Sequence, residues 1–290
     1  MIDDDPLIVL DRLNELVPTQ LTRVYLRYRQ EFRNIINRGK KVSRGSAGIF
    51  VNENRLSYAS LLFTKIIVNA LTIEKLLPDC RPKEHWDFSS VASLTRNLAE
   101  AYLWYYWLCQ DEVDPDVRQG RFILLYCHDH GSRARIFPAE AAEYDQAEVM
   151  ADLTARFDGN AYLRTFDPRQ RREALKGHKT PFIQDEVLER MGADKEAFRL
   201  GYRFFSQHTH TGPMSFFRMI EHDRGAGVET VLEKAYTIIA TIHAAAILDS
   251  AIEGHLSLFQ DAETRTPPLT DADVIRNVER NQGRARVRGT

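Results

Sequence analysis

The sequence predicts an all-α protein, a multi-helix bundle with peripheral helices, on three observations. Apolar residues recur at three- and four-residue spacing through most of the chain. No segment sustains a period-two alternation bounded by hairpin turn signals. Prolines and capping residues stand where such helices would begin or end. The 290 residues can bury a substantial core, and a formal net charge of −2 provides no overall field for nucleic acid or an acidic membrane.

Taken in order, Asp5-Pro6 opens a first helix with proline in its first turn. Leu7, Leu10, Leu13 and Val17 share its apolar face, and Pro18 closes it. Thr19 to Asn37 forms a second helix, with Leu21, Val24, Tyr25, Tyr28, Phe32 and Ile35 inward and Arg23, Arg27, Arg29 and Arg33 on the opposite face. Gly39 to Asn54 reads as a loop. Its glycine and lysine order is wrong for a phosphate-binding loop, and no strand precedes it. A long helix follows from about Arg55 to Leu77, ended by Pro78.

Ser89-Ser90 are capping residues for a helix over Val91 to Cys109, whose second half is apolar nearly all round and belongs at the centre of the bundle. Asp114-Pro115 starts a helix over Asp116 to Asp129, at whose end His128-Asp129-His130 reads as a solvated C-terminal cap. Ala139 to Phe157 and Gln170 to Leu175 are more polar and peripheral, and Gln184 to Met191 is short and amphipathic. Asp194 caps a helix that runs to Gly212-Pro213, and Thr230 to Phe259 is a long Ala-rich closing helix. The organisation expected is an N-terminal helical segment and loop (1–54), a helical bundle (55–260) and a flexible Arg-rich tail (261–290) carrying Arg276, Arg280, Arg284, Arg286 and Arg288.

Three cysteines, Cys80, Cys109 and Cys127, are odd in number and widely spaced, as expected for reduced thiols of a cytoplasmic protein. The acidic start Met1-Ile2-Asp3-Asp4-Asp5 is the opposite of a signal peptide. The most lipid-like run, Ala235 to Ile252, is interrupted by His243 and Asp249 and reads as a buried core helix rather than a membrane span. No membrane association and no cofactor are expected.

Chemistry concentrates in Tyr202-Arg203-Phe204-Phe205-Ser206-Gln207-His208-Thr209-His210, ahead of Gly212-Pro213. At about 100° per residue, Arg203, Ser206, Gln207 and His210 fall on one side of a helix, and His208 points about 140° away from Arg203. Three readings compete. Ser206 and His210 are buried polar groups satisfied inside the bundle; or Arg203 and a histidine form an acid/base site with a fixed cation for a phosphate; or His208 and His210 hold a metal. A second cluster, Ser93, Arg96 and Glu100, shares one helix face, with Arg96 and Glu100 four apart. Its polar seam would meet the Ser206/His210 seam, and Arg121 and Tyr126 are candidate partners for Arg96 and Glu100.

Ser93-Leu94-x-Arg96-x3-Glu100 followed by Tyr202-x3-Ser206-x3-His210 resembles the DUF5677 group of helical bacterial proteins of unknown function. That group looks related to the HEPN-like nucleases, whose signature Arg-x4–6-His is met twice, by Arg203 with His208 and with His210. The residue after the arginine, usually polar in that signature, is Phe204 here. The resemblance spans roughly residues 55–255. It implies a helical bundle, often homodimeric, acting as a metal-independent RNase in toxin–antitoxin or phage-defence systems. In it Arg203 would steady the scissile phosphate, and His210 or His208 would assist proton transfer at the ribose 2′-OH. Partners implied are RNA, a second copy of the chain and an antitoxin or other protein; the Arg-rich tail and the Thr19–Asn37 face would add phosphate contacts. The alternative is a catalytically silent helical binding or structural protein with an internal polar seam of Ser93, Arg96, Glu100, Ser206 and His210.

Overall fold

The computed structural model describes residues 12, 13, 15–47, 49, 53–138, 146–217 and 227–265. The chain is all-α, as expected: α1 (Pro18–Ser46), α2 (Asn54–Leu76), α3 (Phe88–Tyr105), α4 (Pro115–Ile136), α5 (Gln146–Gly159), α6 (Pro168–Lys176), α7 (Gln184–Arg190), α8 (Lys195–Thr209), α9 (Pro213–Phe217) and α10 (Val231–Leu258). Among the described residues no strand forms, only an isolated antiparallel bridge between His85 and Val228. Most of the expected first helix, 5–17, and the tail beyond residue 265 lie outside the described residues. Two compact units result, one built from residues 1–102 with 199–290 and the other from 103–198.

In the first unit α1 packs on α10 and α2, and α10 on α2. Leu21, Tyr25, Trp86, Ala235, Ile238, Ile239 and Ile242 form one buried cluster. Helix α10 is apolar around most of its circumference because it sits inside the unit, with Ala235, Ile238, Ala240, Ala244, Leu248, Ala251 and Ile252 buried. By length and composition both α2 and α10 are apolar enough to cross a membrane; α10 has 61% of its most apolar window buried and α2 33%. Thr230 caps α10 by accepting from the Glu233 amide at 3.0 Å.

Two expectations for this unit change. The segment from Gly39 to Ser46 is helix, not loop. Its glycines serve close packing: a Cβ on Gly39 would lie 2.5 Å from Ile67 Cδ1, and one on Gly45 would lie 1.7 Å from the Ala262 carbonyl oxygen. Contact with α2, α10 and Ala262 therefore outweighs the weak helix propensity of glycine. The start of the predicted tail is also held in place, with Ala262 fully buried and Glu263 accepting from Arg38 Nε at 2.9 Å.

The basic face of α1 is partly occupied. Arg29 meets Asp79 at 2.5 Å and Arg33 meets Glu74 at 2.5 Å, and further along the helix Arg38 binds Glu253 at 2.5 Å as well as Glu263. Arg23 and Arg27 of that face are exposed, Arg27 beside Glu31 at 3.7 Å.

In the second unit α4 packs on α5 and α6. Asp167 caps α6 by accepting from the Arg169 and Gln170 amides, both at 2.8 Å, and the Gln170 side chain accepts in return from the Asp167 amide. Gly177, at φ 63°, ends α6 in the left-handed conformation that glycine adopts without strain. The end of α3 is drawn into a π turn over Tyr106–Gln110, in which the Asp111 amide reaches back to the Tyr106 carbonyl at 2.9 Å. The Trp107 carbonyl is thereby released to accept from Arg121 Nη1 at 2.5 Å. The Arg121 guanidinium also binds Asp111 at 2.6 Å, and Arg190 holds both oxygens of Asp111 at 2.6 and 2.7 Å. Burial alone would raise the Asp111 pKa; hydrogen bonds from the two arginines outweigh it and hold the carboxyl below its ordinary range.

His128, Asp129 and His130 lie inside α4, which continues to Ile136, and do not form its C-terminal cap. His128 Nδ1 lies 2.9 Å from the Gly177 carbonyl, and Asp129 pairs with Arg133 at 2.7 Å. The helix outlasts its expected end because Gly131 allows contact with α6: a Cβ there would lie 2.3 Å from the Lys176 carbonyl oxygen. Cys80, Cys109 and Cys127 form no disulfide among the described residues, and burial raises the Cys127 pKa to about 11.

Candidate functional site

Helix α8 carries the sequence-predicted chemistry, and its two faces differ. Asp194 starts it, accepting from the Glu196 and Ala197 amides at 2.9 and 3.1 Å. Gly201, Phe205 and His208 are buried and Phe204 half-buried, whereas Arg203, Gln207 and His210 are exposed. With about 100° per residue, the inner stripe centres about 150° from Arg203, and His208 falls within it. At the C-terminus the Gly212 amide bonds to the Gln207 carbonyl at 2.8 Å and the Thr211 amide to that of His208 at 3.4 Å. Thr211 sits at φ 50°, completing a Schellman-type end with threonine where glycine is usual. His210 is thus the last residue before the chain turns. Pro213 does not merely stop α8: it opens the short helix α9, a position where its missing N–H costs nothing.

The inner stripe is aromatic. His208 Nδ1 lies 3.1 Å from Ser89 Oγ, and the ring stands edge-on to Phe88 at 4.7 Å and Phe204 at 5.3 Å. Phe204 also packs on Phe88 and on Tyr236 of α10. That contact explains why an apolar residue follows Arg203: the position faces the core. Gly201 gives His243 of α10 its room, since a Cβ would lie 2.8 Å from His243 Nε2. The His243 Nδ1 lies 2.9 Å from the Ile239 carbonyl, and burial lowers its pKa.

The α3 cluster meets α8 through Tyr202. Arg96 Nη2 binds Glu100 at 2.8 Å and donates to the Tyr202 hydroxyl at 2.7 Å, and that hydroxyl donates to the same Glu100 oxygen at 2.5 Å. The guanidinium carbon lies 4.8 Å from the Tyr202 ring centre. Burial first, and then the bond to Glu100, raise the Tyr202 pKa. Ser93 and Ser206 stay out of this triad: each hydroxyl donates to its own helix, Ser93 to the Ser89 carbonyl at 2.8 Å and Ser206 to that of Tyr202 at 2.7 Å. The seam therefore contains Arg96, Glu100 and Tyr202, not Ser206 and His210. Tyr202→Phe is expected to cost about 1–2 kcal/mol, as for loss of one half-buried, charge-assisted hydrogen bond. It would appear in urea unfolding as a lower midpoint at unchanged slope.

Arg121 and Tyr126, candidate partners for that cluster, belong to the other unit. Arg121 is committed to Asp111 and the Trp107 carbonyl, and Tyr126 lies under the Arg156 guanidinium at 5.2 Å. No group of three or more His, Cys, Asp or Glu side chains close enough for a metal ion occurs among the described residues, and His208 and His210 face opposite sides of α8.

Residues 56–227, more than half of the chain, match a family described as a family of unknown function, DUF5677. The chain belongs to the DUF5677 family. The match includes both polar clusters and the aromatic contacts of Phe88, Phe204 and His208, so these features lie within the DUF5677 region. Helix α10, with His243 and Tyr236, lies beyond it and supplies further packing for this unit. No curated protein and no solved structure matched the chain.

Ser89 is a further residue whose role differs from the sequence expectation. It was expected to cap α3, whereas its hydroxyl meets His208; the capping role falls to Asp87, which accepts from the Ser90 amide at 3.1 Å.

Proposed function

We propose that this DUF5677 chain is a metal-independent, HEPN-like ribonuclease, or a defence or toxin-type protein derived from one, with Arg203 and His210 as its working pair. One observation carries the reading: both side chains are exposed on the same face of α8, with exposed Gln207 between them, while His208 is packed inside. An RNA strand needs an accessible cation and an accessible imidazole, and this face offers both.

In the proposed reaction the His210 imidazole takes the proton from a ribose 2′-OH. The 2′-oxygen attacks phosphorus and the bond to the 5′-oxygen breaks, leaving a 2′,3′-cyclic phosphate and a 5′-OH. Arg203 offsets the charge that builds on the non-bridging oxygens. The two residues are seven apart, about 10 Å along the helix axis, so their side chains would lean toward a phosphate seated above Gln207. A second copy of the chain, facing this surface, would bring a further imidazole to protonate the leaving 5′-oxygen. A cytoplasmic location and restraint by an antitoxin-like partner belong to the same proposal.

The rival reading, a catalytically silent binding or structural protein, draws on the closed Arg96–Glu100–Tyr202 network, whose groups satisfy one another. RNA cleavage in EDTA by the wild type, Arg203→Ala and His210→Ala separates the two. Cleavage by the wild type with a loss of about 100-fold or more in each variant is expected for a general base and a phosphate-stabilising cation. Equal cleavage by all three, or by none, would sink the catalytic claim.

A further inference from the structure

The second unit contains a cleft of about 640 Å³ between α4, α5 and α6. Arg135, Arg171, Arg172 and Lys176 line it together with His130 and His178, and none of its lining residues among those described is acidic. Two of the four cations are offset from behind, Arg171 by Asp158 at 2.8 Å and Lys176 by Glu173 at 3.2 Å. Arg135 instead donates to the Gly131 carbonyl at 3.1 Å, and Arg172 acts on Glu173 only at a distance, as one of the cations that lower that carboxyl's pKa. Against these cations stand Met150, Pro168 and Leu175.

We propose that this cleft binds a phosphorylated small molecule of nucleotide size, with its phosphates on Arg135 and Arg172 and its apolar or planar part on Met150, Pro168 and Leu175. The lining has two parts, cationic and apolar. Guanidiniums recognise phosphate oxygens through paired N–H donors. The volume lies within the several-hundred-Å³ range of small-molecule sites, which combine apolar walls with a few placed polar groups. The cleft is formed without Arg203 or His210 and stands independently of the ribonuclease reading.

The test is calorimetric titration of the full chain with ATP, with adenosine, inorganic tripolyphosphate and oligouridylate as separate ligands. Saturable one-to-one binding of ATP is expected, tighter than that of tripolyphosphate, with none for adenosine. Arg135→Glu/Arg172→Glu should weaken ATP at least about tenfold, as for loss of two charge-assisted contacts. Both arginines are exposed; Arg172→Ala is the milder variant should the double substitution disturb folding. Absence of saturable ATP binding, or unchanged ATP affinity in the variants, overturns the proposal. Tripolyphosphate binding as tightly as ATP removes the apolar half of the site, and oligouridylate binding more tightly than ATP in an arginine-dependent way assigns the cleft to RNA instead.

Discussion

Asp111→Ala is expected to destabilise the second unit by about 3–5 kcal/mol, as for removal of one partner from a buried ion pair. Arg121 and Asp111 are both almost fully buried, at 8% and 4% side-chain exposure, and among the described residues Arg121 would keep only the Trp107 carbonyl as a hydrogen-bond acceptor. The remaining charge would stay buried in the fold. Arg190, at 47% exposure, can rehydrate, so Arg190→Ala should cost only about 1 kcal/mol. The three tryptophans make the experiment selective, because Trp86 lies in the first unit and Trp104 and Trp107 in the second. In a Trp86→Phe background, urea unfolding followed by tryptophan fluorescence reports the second unit. A shift no larger than that of Arg190→Ala would show that Asp111 does not hold the turn.

The second large effect is a pH dependence set by His255. Its ring is fully buried, stacked on Phe63 at 4.0 Å and beside Phe259 at 4.6 Å, with Nε2 3.0 Å from Ser46 Oγ. Burial lowers its pKa from 6.5 to about 4. The unfolded chain therefore takes up a proton that the folded chain refuses. The stability linked to His255 is fully present above the unfolded value near pH 6.5. It falls away as pH drops toward the folded value near 4, by about 3 kcal/mol in all. His243, also lowered by burial, adds a loss of the same sign. Unfolding free energies measured between pH 7.5 and 4 should thus decline more steeply for the wild type than for His255→Phe, which keeps the ring and removes the titration. Parallel curves would show that His255 is not the source.

What the sequence made legible follows from what leaves a periodic trace. The helices over Asn54–Leu76 and Lys195–Thr209 repeat an apolar stripe over several turns and that over Val231–Leu258 is a long Ala-rich apolar run, and all three lie close to where those patterns put them. The 140° offset of His208 from Arg203 was likewise readable, and extending the Gly201–Phe204–Phe205 stripe by one turn already places that imidazole inside. Contacts between distant positions leave no such trace. Ser89 and His208 are 119 residues apart, and nothing in either neighbourhood announces the pairing. Gly39 and Gly45 read as a loop because glycine marks turns locally, while their role is set by Ile67 and Ala262, which only the folded unit brings near. Arg121, on the next helix in the chain, is a candidate partner for Arg96 and Glu100 by sequence; the π turn after α3, which no pattern of residue types foretells, gives it Asp111 and a carbonyl instead.

The central claim is that the outward histidine of α8 works on RNA and the inward one holds the fold. Its most direct test measures cleavage of single-stranded RNA in EDTA by His210→Ala and His208→Ala, each at a denaturant-free temperature where both remain folded. His210→Ala is expected to lose cleavage with its unfolding midpoint unchanged, and His208→Ala to lower the midpoint yet keep cleavage while folded. Loss of cleavage in folded His208→Ala with full activity in His210→Ala would contradict it.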